Sequence, residues 1–413
     1  MRKKLETKWG QVKLCAPAAC IGLVFMVATV FLTATGAAAQ PAGPAKALRI
    51  GYIDSFTGWH SPFGLVERPD MENMAKIINE RGGVTVKGQK YNIEIVAEDT
   101  KSGLDGTAAA ATKLAYDHKV KFVIGPGGFF APAATPIFTP NKILNIIANT
   151  YPMPGALGPN APYSFLAHNG IVGIFISALK AIKKEFPNVR KVAIVMPDVG
   201  SQRYVLPPMK RAMEKQGITM LGSEVAYPNE MLDMNPIAAK LNAIKDADAM
   251  ITVNGTPHGV SSILKAVREL GNMKPYIVSL PADGNDIAAI AGKAGATNAL
   301  TVSVFPNAPG NPPLLNELVK RRSNQNAPLY LRAASSLWTL VNIMKAADSI
   351  DPEAVKTKWE SMDKVDTLYG PGIISGDETY GIKHHAVGNP FAYEIIMNGK
   401  VTFGGWVDVG AIP

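Results

Sequence analysis

The chain has 413 residues, of which 47% are hydrophobic and 18% are charged, and its formal net charge is +9. No dense Lys/Arg run with interleaved aromatics follows the N-terminal segment, which disfavours nucleic-acid binding. Both cysteines, Cys15 and Cys20, lie in that segment. The rest of the chain therefore cannot form disulfides, use a thiol in catalysis or hold a metal through thiolates.

The N-terminal segment has the three parts of a secretory signal peptide. Five Lys/Arg residues precede an apolar run, Leu14 to Leu32, and Ala37-Ala38-Ala39 then offers a small-residue cleavage site. We predict cleavage after Ala39, so that residues 1–39 are the signal peptide and the protein is periplasmic. The alternative is an uncleaved anchor helix, because the apolar run is long enough to span about 30 Å of hydrocarbon.

Removal of residues 1–39 lowers the net charge from +9 to +5, because five bases and one acid leave with them. The 374 residues that remain of the 413 exceed one ordinary hydrophobic core, so two domains are expected.

Strands and helices alternate over most of this remaining chain. The first half predicts strands at Leu48–Asp54, Asn92–Glu98, Phe122–Ile124 and Ile143–Ala148, and helices at Val66–Arg81 and Leu104–Asp117. The second half predicts helices at Val172–Glu185, Val205–Lys215, Pro236–Lys245 and Val260–Leu270, and strands at Lys191–Met196, Thr219–Tyr227, Ala249–Val253 and Tyr276–Leu280. Two such halves predict an α/β fold of two Rossmann-like lobes with parallel sheets.

The tail breaks the alternation. One more strand at Leu300–Phe305 is followed by helices at Leu314–Asn324, Leu329–Ala347 and Pro352–Met362, and Asn398-Gly399 then predicts a hairpin. A tail that returns to the first half gives lobe 1 as residues 40–168 plus about 301–384. Lobe 2 is then 169–300 plus about 385–413, with a multi-crossover hinge between the lobes.

The stretch from Lys121 to Thr150 reads as strand, Gly turn, helix and strand, which is a parallel βαβ unit. Its strands end at Gly127-Gly128-Phe129 and at Ala148-Asn149-Thr150. Ligands of such sheets bind at the carboxyl ends of the strands, so both ends should face one crevice. Gly-Pro-Gly-Gly is also common turn chemistry and does not identify a site by itself.

Aromatic and single polar side chains recur at the other predicted strand ends, as in many small-molecule sites. For each residue alone, packing or helix capping is an equally good interpretation, as for Asp283. The candidate ligand-binding residues are Trp59, Phe63, Gly128, Phe129, Ala148, Asn149, Thr150, Tyr204, Asn254 and Asp283.

The sequence carries no G-x-S-x-G elbow, P-loop or H-E-x-x-H motif. His384-His385 is its one His cluster, and adjacent residues in an extended segment point to opposite sides, so a hinge or surface role is expected. We predict no enzyme, no catalytic residue, no metal and no cofactor.

Several segments together resemble a known family. They are L-R-I-G-Y-I-D-S-F-T-G with a following F-G, N-E-R-G-G-V, I-E-I-V-A-E-D-T, K-F-V-I-G-P, I-L-N-I-I-A-N-T, K-V-A-I-V-M-P-D, L-G-S-E-V-A-Y-P and A-D-A-M-I-T-V-N-G. In this order they resemble the leucine/isoleucine/valine-binding group of periplasmic solute-binding proteins of ABC transporters, which have the type I binding-protein fold. The resemblance covers nearly all of residues 47–405.

This resemblance implies two lobes on a three-crossover hinge, which close on a ligand and deliver it to a membrane permease. In leucine-binding members two first-lobe segments hold the ligand carboxylate and ammonium; Ala148-Asn149-Thr150 matches the second of them, and Phe63 matches the aromatic of the first loop. Tyr204 matches the tyrosine after the second-lobe strand. The acidic partner of the ligand ammonium falls at or beside Asp283.

One segment departs from the family pattern, because Gly127-Gly128-Phe129-Phe130 stands where amino-acid binders carry a Ser-rich loop. Aromatic side chains in place of hydroxyls favour a bulkier apolar acid. If Asp283 does not reach the ligand, a ligand without an ammonium group is the more natural choice.

We therefore predict the solute-binding component of an ABC importer, a monomer that binds a small apolar carboxylate or an amino acid of branched-chain or aromatic type. Its partner is an ABC permease of the inner membrane. The alternatives are a ligand sensor of the same fold that signals to a membrane partner, and a secreted enzyme.

Overall fold

The structure, a computed structural model, describes residues 44–148, 153, 155–198, 202–228, 231–306, 308–323 and 330–413, with only the backbone of residues 202 and 203. The predicted signal peptide lies outside these ranges, and so do Asn149 and Thr150. No helix in the described ranges is long and apolar enough to cross a membrane.

The first part of the chain forms a six-stranded sheet. Its strands are β1 (Lys46–Asp54), β2 (Val84–Val86), β3 (Gln89–Asp99), β4 (Phe122–Ile124), β5 (Leu144–Ile146) and β6 (Ser164–Phe165). Its helices are α1 (Ser61–Glu80), α2 (Leu104–Thr112), which continues as a π-helical turn over Lys113–Asp117, and α3 (Ala131–Phe138). The strand order is β2-β3-β1-β4-β5-β6, and every neighbouring pair is parallel except β2 and β3.

β1 lies in the middle of this sheet, with Tyr52 in register with Ala97 of β3 and Ile124 of β4. Its last five residues are all buried. A central strand of a parallel sheet has both faces covered, which is why this stretch is nearly continuously apolar. The strand ends at Asp54, on the carboxyl edge of the sheet.

A second sheet is built from the next part of the chain. Its strands here are β7 (Lys191–Asp198), β8 (Thr219–Met220), β9 (Val225–Pro228), β10 (Ala249–Val253), β11 (Tyr276–Pro281) and β12 (Ala299–Ser303). Its helices are α4 (Gly170–Glu185), α5 (Gln202–Lys215), α6 (Asn235–Ala243), α7 (Pro257–Glu269) and α8 (Gly284–Gly295). All pairs among β7 to β12 are parallel.

The tail contains helices and a small third sheet. The helices are α9 (Pro313–Lys320), α10 (Arg332–Ala347), α11 (Pro352–Ser361) and α12 (Asp377–Tyr380), and the strands are β13 (Lys364–Thr367), β14 (Gly370–Ser375) and β15 (Ala386–Gly388). The sequence interpretation missed this antiparallel sheet, because β14 begins with Gly-Pro-Gly, which is typical of turns.

The chain ends in the predicted hairpin, formed by β16 (Phe391–Met397) and β17 (Lys400–Val407). Asn398 and Gly399 at its turn have φ values of 53° and 74°. Two positive φ values in a two-residue turn are what the Asn-Gly pair permits. β16 pairs antiparallel with β12, so the hairpin extends the second sheet.

Three further elements, one helix, one strand and one additional helix, differ from the sequence interpretation. α1 begins at Ser61 rather than Val66, with Pro62 in its first turn, where the missing N–H of proline costs nothing. The single strand predicted over Thr219–Tyr227 is split into β8 and β9, and Gly222 between them has φ +66°. Helix α8 was not predicted.

His385 of the predicted His cluster is buried rather than exposed. Its ring stacks on Phe165 at 4.0 Å, and its Nε2 lies 2.9 Å from Glu360 Oε1. In the described ranges no three His, Cys, Asp or Glu side chains are grouped so that they could hold a metal.

In the described residues the chain passes three times between the parts that contain the two large sheets. It runs from β6 to α4, from β12 to α9, which packs on α1, and from β15 to β16. Hydrogen bonds between Asn169 and Asn389 help to join the first and third connections. Asn169 Nδ2 donates to the Asn389 carbonyl at 3.1 Å, and the Asn389 N–H donates to Asn169 Oδ1 at 2.6 Å. The lobe boundaries given above stay a prediction.

Candidate ligand-binding site

A cavity of about 120 Å³ is lined by residues from helices α1, α4 and α10, from strand ends of the second sheet and from connections between elements. Phe63 of α1 and the pair Tyr330 and Arg332 at the start of α10 form one wall. A second part of the lining, the strand-end wall, comes from the second sheet, with Asn254 after β10 and Ser279 of β11. The first residues of α4 complete the lining together with His168, Tyr369 and Phe391.

Arg332 is the only charged side chain among the described residues of this lining. Its Nε and Nη2 atoms contact Oε1 of Glu67, a fully buried residue of α1. The other carboxylate oxygen of Glu67 accepts the Ala333 N–H at 2.9 Å. Burial opposes the charge on Arg332, but Glu67 outweighs that effect and the pKa of the guanidinium is raised. The cavity therefore contains a permanent cation.

Two neighbouring aromatic rings lie beside the guanidinium. Its Cζ lies 5.4 Å from the centre of the Phe63 ring and 5.2 Å from that of Tyr330. The two rings are 5.2 Å apart, and His60 stacks on Phe63 at 4.7 Å. Burial, and then the nearby charge of Arg332, lowers the pKa of His60 to about 4, so this ring is uncharged near neutral pH. Cation–π contacts with Phe63 and Tyr330 orient the guanidinium.

His168 is another lining residue of the cavity. Its hydrogen bonds show that it has a single protonation state. Its Nε2 lies 3.1 Å from the Ala148 carbonyl, which can only accept, and the Gly170 N–H donates to its Nδ1 at 3.1 Å. The proton is therefore on Nε2, and burial lowers the pKa of His168 to about 3. Both nitrogens are used inside the protein, so the ring offers a ligand an apolar surface.

The strand-end wall offers hydrogen-bonding groups without charge. Asn254 has φ +60°, and its N–H donates to the Ser279 carbonyl at 3.3 Å. The Ser279 hydroxyl is buried and has no hydrogen-bond partner among the described residues. Buried hydroxyls are nearly always paired, so this unpaired one is an exception within the lining.

Two of the residues proposed from the sequence line this cavity, namely Phe63 and Asn254. Ala148 lies next to it, because its carbonyl bonds to His168. Trp59 is 68% exposed and reaches the site through its edge contact with His60, at 5.2 Å between ring centres.

The remaining proposed residues lie elsewhere or are not described. Gly128 is buried, Phe129 is half-buried against the core, and Tyr204 is half-buried in α5. Asp283 is exposed and caps α8, where its carboxylate accepts the Asn285 N–H at 2.7 Å. Asn149 and Thr150 fall outside the described residues.

Sequence reasoning missed Arg332, Tyr330, His168, Tyr369 and Phe391. His168 comes three residues after β6, a two-residue strand that the sequence interpretation did not predict, and the other four do not follow a strand of the parallel sheets. One signal was present for Arg332. It opens a run of small and apolar residues in the predicted helix Leu329–Ala347, and a charge at such a position needs a buried partner.

This arrangement suits reversible binding of a small molecule with an apolar body. In the described part of the lining, aromatic and aliphatic surface predominates, the cation of Arg332 is fixed in place, and a few neutral groups can donate or accept hydrogen bonds.

Comparison with known proteins agrees with a role in binding small molecules. Residues 47–400 match a family model described as periplasmic binding protein. The substrate-binding protein LivJ of Streptococcus pneumoniae, solved with isoleucine, is 20% identical with a TM-score of 0.65. That match covers 88% of this chain and 99% of LivJ.

Two further solved structures are similar. A solute-binding protein of an ABC transporter from R. palustris, solved with 4-hydroxybenzoate, is 18% identical with a TM-score of 0.66, over 89% of this chain and 98% of that one. A substrate-binding protein from Sphaerobacter thermophilus is 15% identical with a TM-score of 0.70, over 89% of this chain and 99% of that one.

The fold and the cavity thus define a binding protein of the type I periplasmic class, which confirms the predicted fold. The chain belongs to the periplasmic binding protein family.

Proposed function

We propose that the protein is the solute-binding component of an ABC importer. It is exported to the periplasm, binds a small apolar carboxylate or an amino acid of branched-chain or aromatic type, and delivers it to a permease of the inner membrane. The observation that carries the proposal is the cavity itself, whose described lining combines aromatic residues with the fixed cation of Arg332 and joins helices α1 and α10 to strand ends of the second sheet.

The similar proteins support this range of solutes. LivJ was solved with isoleucine and the R. palustris protein with 4-hydroxybenzoate, and both ligands are small acids with an apolar body. A cavity of about 120 Å³ is of the same order as the ~150 Å³ engineered cavity that holds benzene in another protein.

In the proposed mechanism the solute first meets one lobe, residues 40–168 plus about 301–384, which carries Phe63 and Arg332. The second lobe, residues 169–300 plus about 385–413, then closes over it with Asn254 and Ser279. The protein acts as a monomer that presents its closed form to the permease, and no catalysis takes place.

A thermal-shift screen tests the solute-binding role. The chain is expressed with its own N-terminal segment, purified from the extracytoplasmic fraction, and unfolded and refolded to remove bound solute. A ligand at 100 times its dissociation constant stabilises the folded state by about 2.7 kcal/mol. In a chain of this length that raises the melting temperature by about 3 °C.

Uptake tests the importer role. Cells that carry the permease should lose saturable uptake of the stabilising solute when this protein is deleted, and regain it on complementation. Unchanged uptake in the deletion strain would reject the importer role, even if the purified protein binds the solute.

A further inference from the structure

We infer that the solute is an acid without an amino group, and that its carboxylate pairs with Arg332. This inference rests on the proposed function and specifies its substrate class. Arg332 is the specificity-determining residue of the cavity, and Glu67 is a positioning residue that acts through it.

The guanidinium of Arg332 has hydrogen-bonding capacity left for a ligand. Among the described residues its one hydrogen-bond partner is Glu67, which contacts Nε and Nη2 through a single oxygen. A guanidinium carries five N–H donors arranged to meet a carboxylate through two parallel bonds. Its side chain is 16% exposed, and it reaches solvent at the cavity. The donors left over are therefore presented to the space where the solute binds.

The contacts of Arg332 fix the orientation of its guanidinium group. Glu67 occupies one edge of the guanidinium, and the rings of Phe63 and Tyr330 lie within 5.4 and 5.2 Å of its Cζ. Glu67 cannot turn away, because its second oxygen is held by the Ala333 N–H. A cation held in this way binds an anion with little loss of side-chain freedom, which is the advantage of a preorganised site.

An α-amino acid also needs an acceptor for its ammonium, and the described part of the lining supplies no carboxylate for it. No aspartate or glutamate is among the described lining residues. Asp283 is exposed and caps α8. The two buried carboxylates near Arg332 are engaged, Glu67 as above and Asp54 by the Ser55 N–H at 2.8 Å and the Tyr52 hydroxyl at 3.2 Å.

An ammonium in this cavity would therefore be desolvated beside Arg332 without a charged partner, which is costly. A carboxylate also loses its hydration in the cavity, but Arg332 provides a charged partner for it. The rest of the lining fits its apolar body, because Phe63, Tyr330, Tyr369 and Phe391 supply ring surface.

Matched pairs of probes test the missing amine. Calorimetry compares 3-phenylpropanoate with phenylalanine and 4-methylpentanoate with leucine, since each pair differs only by the amino group. Amides of the two acids, 3-phenylpropanamide and 4-methylpentanamide, measure the contribution of the negative charge. We expect each acid to bind about 10- to 100-fold more tightly than its amide and its amino acid.

A double variant tests Arg332. Arg332→Gln alone leaves Glu67 buried and unpaired and can unfold the protein. The Glu67→Gln/Arg332→Gln variant removes both charges, and we expect it to lose the preference for acid over amide while amide binding is unchanged. The matched control is Asp70→Asn/Arg322→Gln, which neutralises a buried pair with 2.9 Å between Arg322 Nε and Asp70 Oδ1 that does not line the cavity. That control should keep the preference.

The outcomes separate the inference from the proposed function. Tighter binding of leucine or phenylalanine than of its deamino acid overturns the inference and leaves the importer role standing. A preference for acid over amide that survives in the Glu67→Gln/Arg332→Gln variant overturns the assignment of Arg332. Binding of a solute of another chemistry, with uptake that depends on this protein, also overturns the inference but not the importer role.

Discussion

Glu67 and Arg332 are 265 residues apart in the chain and form a buried ion pair at the wall of the cavity. The pair joins the first helix of the first sheet to a helix supplied by the tail. The site can therefore be assembled only when the tail of the chain has packed back onto the first helix.

The aromatic contact with Arg332 predicts a selective effect of Phe63→Leu. Leucine keeps most of the apolar volume but removes the ring that contacts Tyr330 at 5.2 Å and faces the cavity. We expect 3-phenylpropanoate to bind about 2- to 10-fold more weakly, because a ring–ring contact is lost, and 4-methylpentanoate to bind as before. Calorimetry on both acids measures the difference.

Phe56→Leu is the control for that variant. Phe56 packs against Tyr52 at 5.7 Å between ring centres and does not line the cavity. It should leave both affinities unchanged. An equal loss for both acids in Phe63→Leu would contradict a role for the ring in selecting the ligand.

Asp70 and Arg322 form a buried ion pair, so we expect substitutions of the two residues to have strongly non-additive effects on the free energy of unfolding. Both side chains are nearly enclosed, and Nε of Arg322 donates to Asp70 Oδ1 at 2.9 Å. Arg322→Met should destabilise the fold by about 3–5 kcal/mol, because it leaves a buried carboxylate without its partner. Adding Asp70→Leu should recover a large part of that loss. Urea unfolding of the two single variants and the double variant measures the coupling, and additive losses would argue against it.

Asp54 predicts a specific pH dependence of stability. Burial, and then the neighbouring Glu67 carboxylate, raises the pKa of Asp54 to about 6, whereas an unfolded chain has an aspartate pKa of about 4. The folded protein therefore holds the proton more tightly, and this group adds stability as the pH falls from 7 towards 4. Between pH 7 and pH 5 the gain is about 1 kcal/mol, and Asp54→Asn should abolish it.

The measurement is the urea midpoint of the wild type and the variant at pH 7 and pH 5. Burial holds the pKa of His60 at about 4 and that of His168 at about 3, which opposes this gain in both proteins, so only their difference reports on Asp54. Asp248→Asn is the control. Hydrogen bonds from the N–H groups of Arg190 and Lys191 lower the pKa of Asp248, so its cost should be the same at both pH values. The same pH slope in wild type and Asp54→Asn would refute the assignment.

We expect that position 125, at the end of β4, has no space for a side chain. Its φ is +93°, and a Cβ there would overlap the carbonyl oxygen of Ile53, next to Asp54 in β1. Gly82 has a similar φ of +102° but open space around it. Both alanine variants introduce the strain of a positive φ. Gly125→Ala should lower the free energy of unfolding by about 1–3 kcal/mol more than Gly82→Ala, because the backbone must also move. Equal losses in thermal unfolding would show that β4 shifts freely.

The fold could be predicted from the sequence because its signals are local. Apolar strands that end in glycine, asparagine or aspartate, such as Ala249–Val253, are read from a few neighbouring residues, and so is the Asn398-Gly399 turn. The small third sheet could not be predicted in this way, because its strands are short and β14 begins with turn residues.

The site was predicted only in part, and for a physical reason. Phe63 and Asn254 follow parallel strands, so the strand-end rule places them at the cavity. Arg332 comes from a helix of the tail, and its partner Glu67 lies far away in the chain. Asp283 follows a strand as expected but caps α8, since a local hydrogen bond to a helix N–H satisfies its carboxylate.

The paired amides of Asn169 and Asn389 have a mechanical consequence. If one connection twisted without the other, two hydrogen bonds between buried groups would break, at 3.1 and 2.6 Å in the structure. In the proposed lobe closure the two connections would therefore act as one joint, which shares the energy of bending between segments 220 residues apart in the chain. Opening and closing should then appear as one relaxation in rapid-mixing experiments, with a rate set by the joint and not by the solute that happens to fill the cleft.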